Sequence, residues 1–143
     1  RAEKIGIIYQ DKNLLSDFTA LENIYLAKLA LSNDENNAKN IAKKIIKSVG
    51  LINRQNHYPS ELSGGENQRI AICRAIINNP EIIIADEPTG SLDQKNSKEI
   101  FKLLFNLRNK NNVIIFATHN TYFSNLADYK LQIKDGSVKY LNV

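Results

Sequence analysis

Apolar positions along this chain follow two alternating patterns. Short, nearly continuous apolar runs occur at residues 4–9, 81–85 and 113–118, with the length and Ile/Val content of buried strands. Between them the spacing becomes helical. Residues 20–31 place Leu21, Ile24, Leu26 and Leu29 one helical turn apart, and a second helix carries Ala38, Ile41, Ala42, Ile45, Ile46 and Val49 to a stop at Gly50. Residues 64–78 are helical and apolar on most sides, which implies burial, and Pro80 ends that run. Residues 92–107 predict an amphipathic helix with Ile100, Leu103, Leu104 and Leu107 inward. A short helix around 122–127 leads to a terminal hairpin, 129–134 and 137–141, turning on Asp135 and Gly136. The connectors are a polar loop at 11–19, a polar break at 32–35, and an irregular stretch at 51–62 marked by Pro59.

Buried strands alternating with helices predict an α/β fold with a parallel sheet and flanking helices. The strandless stretch, about residues 14–78, is expected to form a separate helical lobe.

Composition narrows the class. With 43% hydrophobic and 24% charged residues, the chain has the profile of an ordinary globular protein. No run approaches the roughly 18 apolar residues of a membrane span. Nothing near Arg1 resembles a signal peptide, so an intracellular setting is expected. The net charge of +4 is mild, and the lysine group at Lys39, Lys43, Lys44 and Lys47 reads as a solvated helix face, so no nucleic-acid partner is expected. Cys73, the one cysteine, cannot form an internal disulfide and falls in an apolar helical pattern, where an inert buried thiol is expected.

Two places carry chemistry. The run Ile82, Ile83, Ile84, Ala85 ends in Asp86, Glu87 and Pro88, which puts two acids at the C-terminal edge of a sheet, where open α/β folds bind ligands. Adjacent side chains diverge, so Asp86 can hold Mg²⁺ while Glu87 polarises a water that attacks phosphorus. Two solvated acids after a strand would look the same. Further upstream, Ser63, Gly64, Gly65 and Glu66 open a helix. Ser63 and Glu66 match a capping box, and the same geometry of glycine amides and a hydroxyl makes a phosphate site.

Taken in order, the two places resemble the ABC ATPase family: Gln10 after the first strand, Ser63–Glu66, a buried helix, a strand ending in Asp86–Glu87–Pro88, then Asp93, then His119 after a further strand. The resemblance spans nearly the whole chain. It implies a P-loop NTPase-like core with a helical signature lobe, ATP and Mg²⁺ as ligands, and a dimer of ATPase subunits. By it, Ser63, Gly64, Gly65 and Glu66 would face the γ-phosphate of ATP held by the opposite subunit, and Asp93 would meet that subunit. Asp86 would hold the metal, Glu87 would be the catalytic base, Gln10 would touch metal and water, and His119 would contact the γ-phosphate. Glu66 stands where the commonest family form has Gln. His57 matches nothing in the family and is expected at the surface.

The stretch from Tyr9 to Ile24, with Leu14, Leu15 and then Phe18, Thr19, Ala20, Leu21, Glu22 and Asn23, resembles the lipoprotein-releasing branch and its macrolide-export and cell-division relatives; Ser16 replaces a frequent Pro. Tyr58–Glu61 and Thr89–Gly90 fit the same group. That branch implies integral-membrane transporter subunits as partners, with the ATPase peripheral on the cytoplasmic face of the bacterial inner membrane.

One family element is missing. No Gly-x-x-x-x-Gly-Lys-Ser/Thr occurs, the chain has no Met, and it opens with Arg1. The expectation is therefore an N-terminally incomplete nucleotide-binding domain over 1–143, inactive by itself because the main grip on the β- and γ-phosphates is absent. It is also expected to aggregate or unfold in part, with sheet edges uncovered. The alternatives are a remnant of a degraded or split gene, or a DNA-repair ATPase. The latter inserts long coiled coils, whereas about fifty residues separate Gln10 from Ser63 and none sustain heptads.

Overall fold

The computed structural model describes residues 3–141; the outermost positions of the expected 1–143 domain lie outside them. Strand β1 (Ile5–Ile8) enters first, followed by helices α1 (Ala20–Leu29), α2 (Glu35–Ser48) and α3 (Gly64–Ile76). Strand β2 (Ile82–Asp86), helix α4 (Gln94–Asn106), strand β3 (Val113–Ala117) and the one-turn helix α5 (Thr121–Ser124) come next. The hairpin β4 (Lys130–Lys134) and β5 (Ser137–Leu141) closes the described chain.

The sheet is parallel, in the order β1-β2-β3, with Ile5 opposite Ile82 and Ile82 opposite Val113. That is the expected α/β arrangement. Helix α3 lies directly against β1: a β-carbon at Gly6 would collide with the Ala75 carbonyl, so only glycine allows this approach.

Each long helix starts with a side-chain cap. Thr19 and Glu22 form a reciprocal capping box on α1, Asp34 caps α2, Ser63 and Glu66 form a second box on α3, and Asp93 caps α4. Asp93 explains why α4 begins at Gln94 and not at residue 92. Its carboxylate takes the Asn96 N–H at 2.9 Å, holding Leu92 outside the helix. The stretch 51–62 is more regular than expected, with 3₁₀ turns at Ile52–Arg54 and Pro59–Glu61. His57 is half-buried, with its ring in an exposed contact with Arg54; its carbonyl accepts the Ala20 N–H at 2.8 Å, stitching this stretch to the start of α1.

Apolar side chains gather into two clusters. One joins α1, α2 and α3 around Ile24, Ala38, Ile46, Ile70 and Cys73, all fully buried. Burial pushes the Cys73 thiol up to about 12, so it stays protonated and inert at neutral pH. The other joins α3, α4 and one face of the sheet around Ile8, Ile72, Ile83, Ala85 and Ile100. Here the strand expectation needs correction: β2 is buried on one face only, and β3 is only partly covered even on that face. Ile84 is 38% exposed and Ile115 53%, because no layer of described residues covers the second face. None of the helices in the described residues is long and apolar enough to cross a membrane.

Candidate active site

Strand β2 delivers Asp86 to the carboxyl edge of the sheet, opposite Ala117 of β3, with its side chain exposed. Pairing continues one residue further, since the Glu87 N–H donates to the Ala117 carbonyl at 3.0 Å. There the backbone breaks into the left-handed region, φ 39° at Glu87, a conformation that non-glycine residues keep only when neighbours enforce it. The kink turns Glu87 away from Asp86 and toward the loop after β3. Its Oε1 accepts the main-chain N–H of His119 at 2.8 Å and lies 2.7 Å from His119 Nδ1. Thr118 Oγ1 donates to Oε2 at 3.2 Å. Both carboxylate oxygens are therefore held by the end of β3, while the His119 ring stays 85% exposed.

Gln10 follows β1 and reaches the same place. A β-carbon at Gly90 would lie 3.1 Å from Gln10 Nε2 and 3.4 Å from Glu87 Cβ, so both side chains flank one glycine. A cavity of about 400 Å³ opens here, lined by Glu87, Gly90, Ser97, Lys98, His119 and Tyr122 among others. Gln10, Glu87 and His119 thus share one locality, with Asp86 next to it along the chain.

The glycine-led helix start forms a second locality. Ser63 Oγ accepts the Glu66 N–H at 3.3 Å, and Glu66 Oε2 accepts the Ser63 N–H at 2.8 Å. That main-chain hydrogen bond, with Arg54 and Arg69 nearby, holds the Glu66 carboxyl below the usual carboxylate range. Asp93 is likewise lowered, by hydrogen bonds from the Asn96 main chain and side chain. The helix start packs against α4 so closely that a β-carbon on Gly65 would meet Asn96 Oδ1 at 2.5 Å. Asn96 in turn donates to Asp93 Oδ2 at 2.6 Å. Gly65 is required by this internal contact, whatever it also does for a ligand. Among the described residues no hydrogen bond joins Ser63, Gly64 or Gly65 to Asp86, Glu87 or His119.

Thr118 and Asn96 were missed in the sequence. Thr118 reads there as the last residue of a strand, and Asn96 as a polar position in a helix; only the fold puts them on Glu87 and Gly65.

An acid pair, a histidine and a glutamine at the carboxyl edge of a parallel sheet occupy the place where α/β folds bind their ligands. The chain belongs to the ABC transporter family, whose profile matches residues 1–90. It is 42% identical over 139 residues to the lipoprotein-releasing system ATP-binding protein LolD of Cytophaga hutchinsonii, covering 96% of this chain and 64% of that protein. The protein of the same name from Wigglesworthia glossinidia brevipalpis is 45% identical over 144 residues, covering 100% of this chain and 63% of its own length. The chain thus spans just under two thirds of the length of these relatives. Among solved structures it is similar to a dimeric post-hydrolysis state of an ATP-binding cassette bound to ADP and Pi, with a TM-score of 0.85 at 33% identity, over 100% of this chain and 65% of that one. A dimeric bacterial ABC transporter cassette matches with a TM-score of 0.85 at 34% identity.

Proposed function

We propose that these residues form the signature and catalytic part of the ATP-hydrolysing subunit of an ABC transporter, one that powers lipoprotein release through integral-membrane partners at the cytoplasmic face of the bacterial inner membrane. The observation that carries the hydrolytic part is the Glu87 carboxylate, kinked out of β2 and held between His119 and Thr118 beside Gln10. The lipoprotein part rests on the likeness to the two LolD proteins.

Each role follows from placement. Glu87 accepts the hydrogen bond, and then the proton, of a water whose oxygen attacks the γ-phosphorus; the bridging oxygen leaves with ADP. In the arrangement seen, His119 occupies Glu87 Oε1, so His119 must turn its Nδ1 toward phosphate before that oxygen takes a water. Gln10 orients the water from the other side of Gly90. Asp86 would hold Mg²⁺. The donor set fits that ion: one exposed carboxylate with no cluster of three or more His, Cys, Asp or Glu among the described residues suits a metal carried largely by phosphate oxygens and water. When bound, Mg²⁺ neutralises charge building on the transferred phosphoryl group.

That no hydrogen bond among the described residues joins Ser63, Gly64 or Gly65 to Glu87 leaves room for a composite site, in which the α3 start of one subunit, with Glu66 and Asp93, completes the ATP site of a second. The 143 residues contain no Gly-x-x-x-x-Gly-Lys-Ser/Thr, so the roles given to them do not include the main grip on the β- and γ-phosphates.

In the complete protein carrying these residues, Glu87→Gln is expected to lower kcat by about 10²–10⁴-fold while ATP still binds. Steady-state turnover and equilibrium ATP binding check this. Full turnover in that variant would end the reading.

A further inference from the structure

The loop that carries Gln10 contains two successive non-glycine residues in the left-handed region, Lys12 at φ 60° and Asn13 at φ 47°. Its own turn bonds, Lys12 N–H to the Tyr9 carbonyl at 3.3 Å and Asn13 N–H to the Asp11 carbonyl at 2.6 Å, are short-range. A backbone of this kind persists only where its surroundings over-determine it. The long-range hold comes from Arg74 on α3. Its Nη1 donates to the Asn13 carbonyl at 2.6 Å and its Nη2 to the Lys12 carbonyl at 2.8 Å. No carboxylate pairs with Arg74 among the ion pairs of the described residues. Burial works against its charge, and Tyr9 only partly offsets that. A partly desolvated cation whose fork is spent on two main-chain oxygens is a geometric fastener rather than half of a salt bridge.

Lys12 is fastened from its other end as well. Its Nζ donates to Ser91 Oγ at 2.6 Å, on the segment between Glu87 and Asp93. One residue, two positions after Gln10, is thereby tied through its carbonyl to the glycine-led helix and through its ammonium to the loop before α4.

We propose that Arg74 is a positioning residue for hydrolysis: acting through Lys12 and Asn13, it sets where Gln10 stands beside Glu87, and so couples the placement of α3 to the water-orienting glutamine. The proposal rests on the ATPase reading and names a residue that reading does not use. Arg74 holds the Lys12 and Asn13 carbonyls, and its effect passes through Gln10. Lysine in its place keeps the charge but cannot span both carbonyls in one plane.

The test is a double-mutant cycle in the complete protein, with Arg74→Lys, Gln10→Ala and the pair, read as kcat, KM for Mg-ATP and Tm. Arg74→Lys is expected to lower kcat about tenfold, as a small misplacement of an orienting group does. Its KM should stay within about twofold, since ground-state binding is untouched. The double variant should be no slower than Gln10→Ala alone. Unchanged kcat in Arg74→Lys, or losses that multiply in the double variant, would overturn the proposal. A purely stabilising arginine would lower Tm and leave the kcat of folded protein intact. Should Arg74→Lys fail to fold, Arg74→Gln, which removes the partly desolvated charge and keeps a donor, enters the same cycle with the same criteria. Glu87→Gln separates the two layers. A silent Glu87→Gln with multiplying losses removes only the Arg74 assignment, whereas an active Glu87→Gln removes the ATPase reading itself.

Discussion

The cluster of α1, α2 and α3 and the sheet are both rich in isoleucine, and the isoleucines of the two meet opposite fates. Among the helices, Ile24, Ile46 and Ile70 are all fully buried, because α1, α2 and α3 pack together around one apolar cluster. In the sheet, Ile83 is 1% exposed while its neighbour Ile84 is 38% and Ile115 53% exposed. Ile133 on the terminal hairpin reaches 78%. A helix needs cover on one stripe, and three neighbouring helices supply it locally. A parallel strand alternates its side chains between two faces and needs a layer on each. Helices α3 and α4 cover one face, and the other has no cover among the described residues. Coherence of the helical cluster is thus a local property, whereas that of the sheet depends on the whole domain.

Truncation in the two regions gives the largest expected contrast. Under conditions where the 143-residue chain is monomeric, Ile46→Ala is expected to cost about 2–5 kcal/mol, the usual range for emptying a closed core. Ile115→Ala on the open face is expected to cost less than about 1 kcal/mol. Urea unfolding followed by circular dichroism measures both, and equal costs would break the contrast.

The seam between the regions comes next. Gly65→Ala must displace Asn96, which Asp93 holds, and is expected to destabilise by about 1–3 kcal/mol as an overpacking change. Asn96→Ala made together with it should recover part of that loss in the same assay. No recovery would mean that Gly65 is not limited by this contact.

The smallest expected effect concerns Glu66. At neutral pH, Glu66→Gln should change stability by no more than about 0.5 kcal/mol, since a glutamine oxygen can still accept the Ser63 N–H. The pH dependence should differ. Because the folded carboxyl lies below its ordinary 4.5, its contribution is complete above that value and is lost as pH falls through the lower folded value. Stability curves of the two proteins should diverge below pH 4.5 only. Divergence at neutral pH would mean that the Arg54 and Arg69 charges beside Glu66 outweigh its cap.

Much of the architecture was legible because it is periodic. The α/β alternation, the capping box of Ser63 and Glu66 and the terminal hairpin all follow from spacing and local side-chain chemistry, which need no distant partner. Boundaries moved by a few residues where a cap decided them, as at Gln94. Exposure of β2 and β3 was misjudged because an apolar run states that a strand needs cover, not that cover is present. Among the candidate site residues, Asp86 and Glu87 were visible as acids at a strand end, yet the left-handed turn at Glu87 leaves no mark in residue type.

By itself, then, the sequence determined which segments become helix or strand and which side chains bring acid, hydroxyl and imidazole chemistry. Those are matters of short-range sterics, hydrogen bonding and hydrophobic periodicity. Only the tertiary structure decided that Gln10 and Glu87 flank one glycine, that Thr118 and His119 hold the Glu87 carboxylate, and that Arg74 seizes two carbonyls more than sixty residues away. Such contacts join residues remote along the chain, and they arise only after strand order and helix packing have brought the segments together.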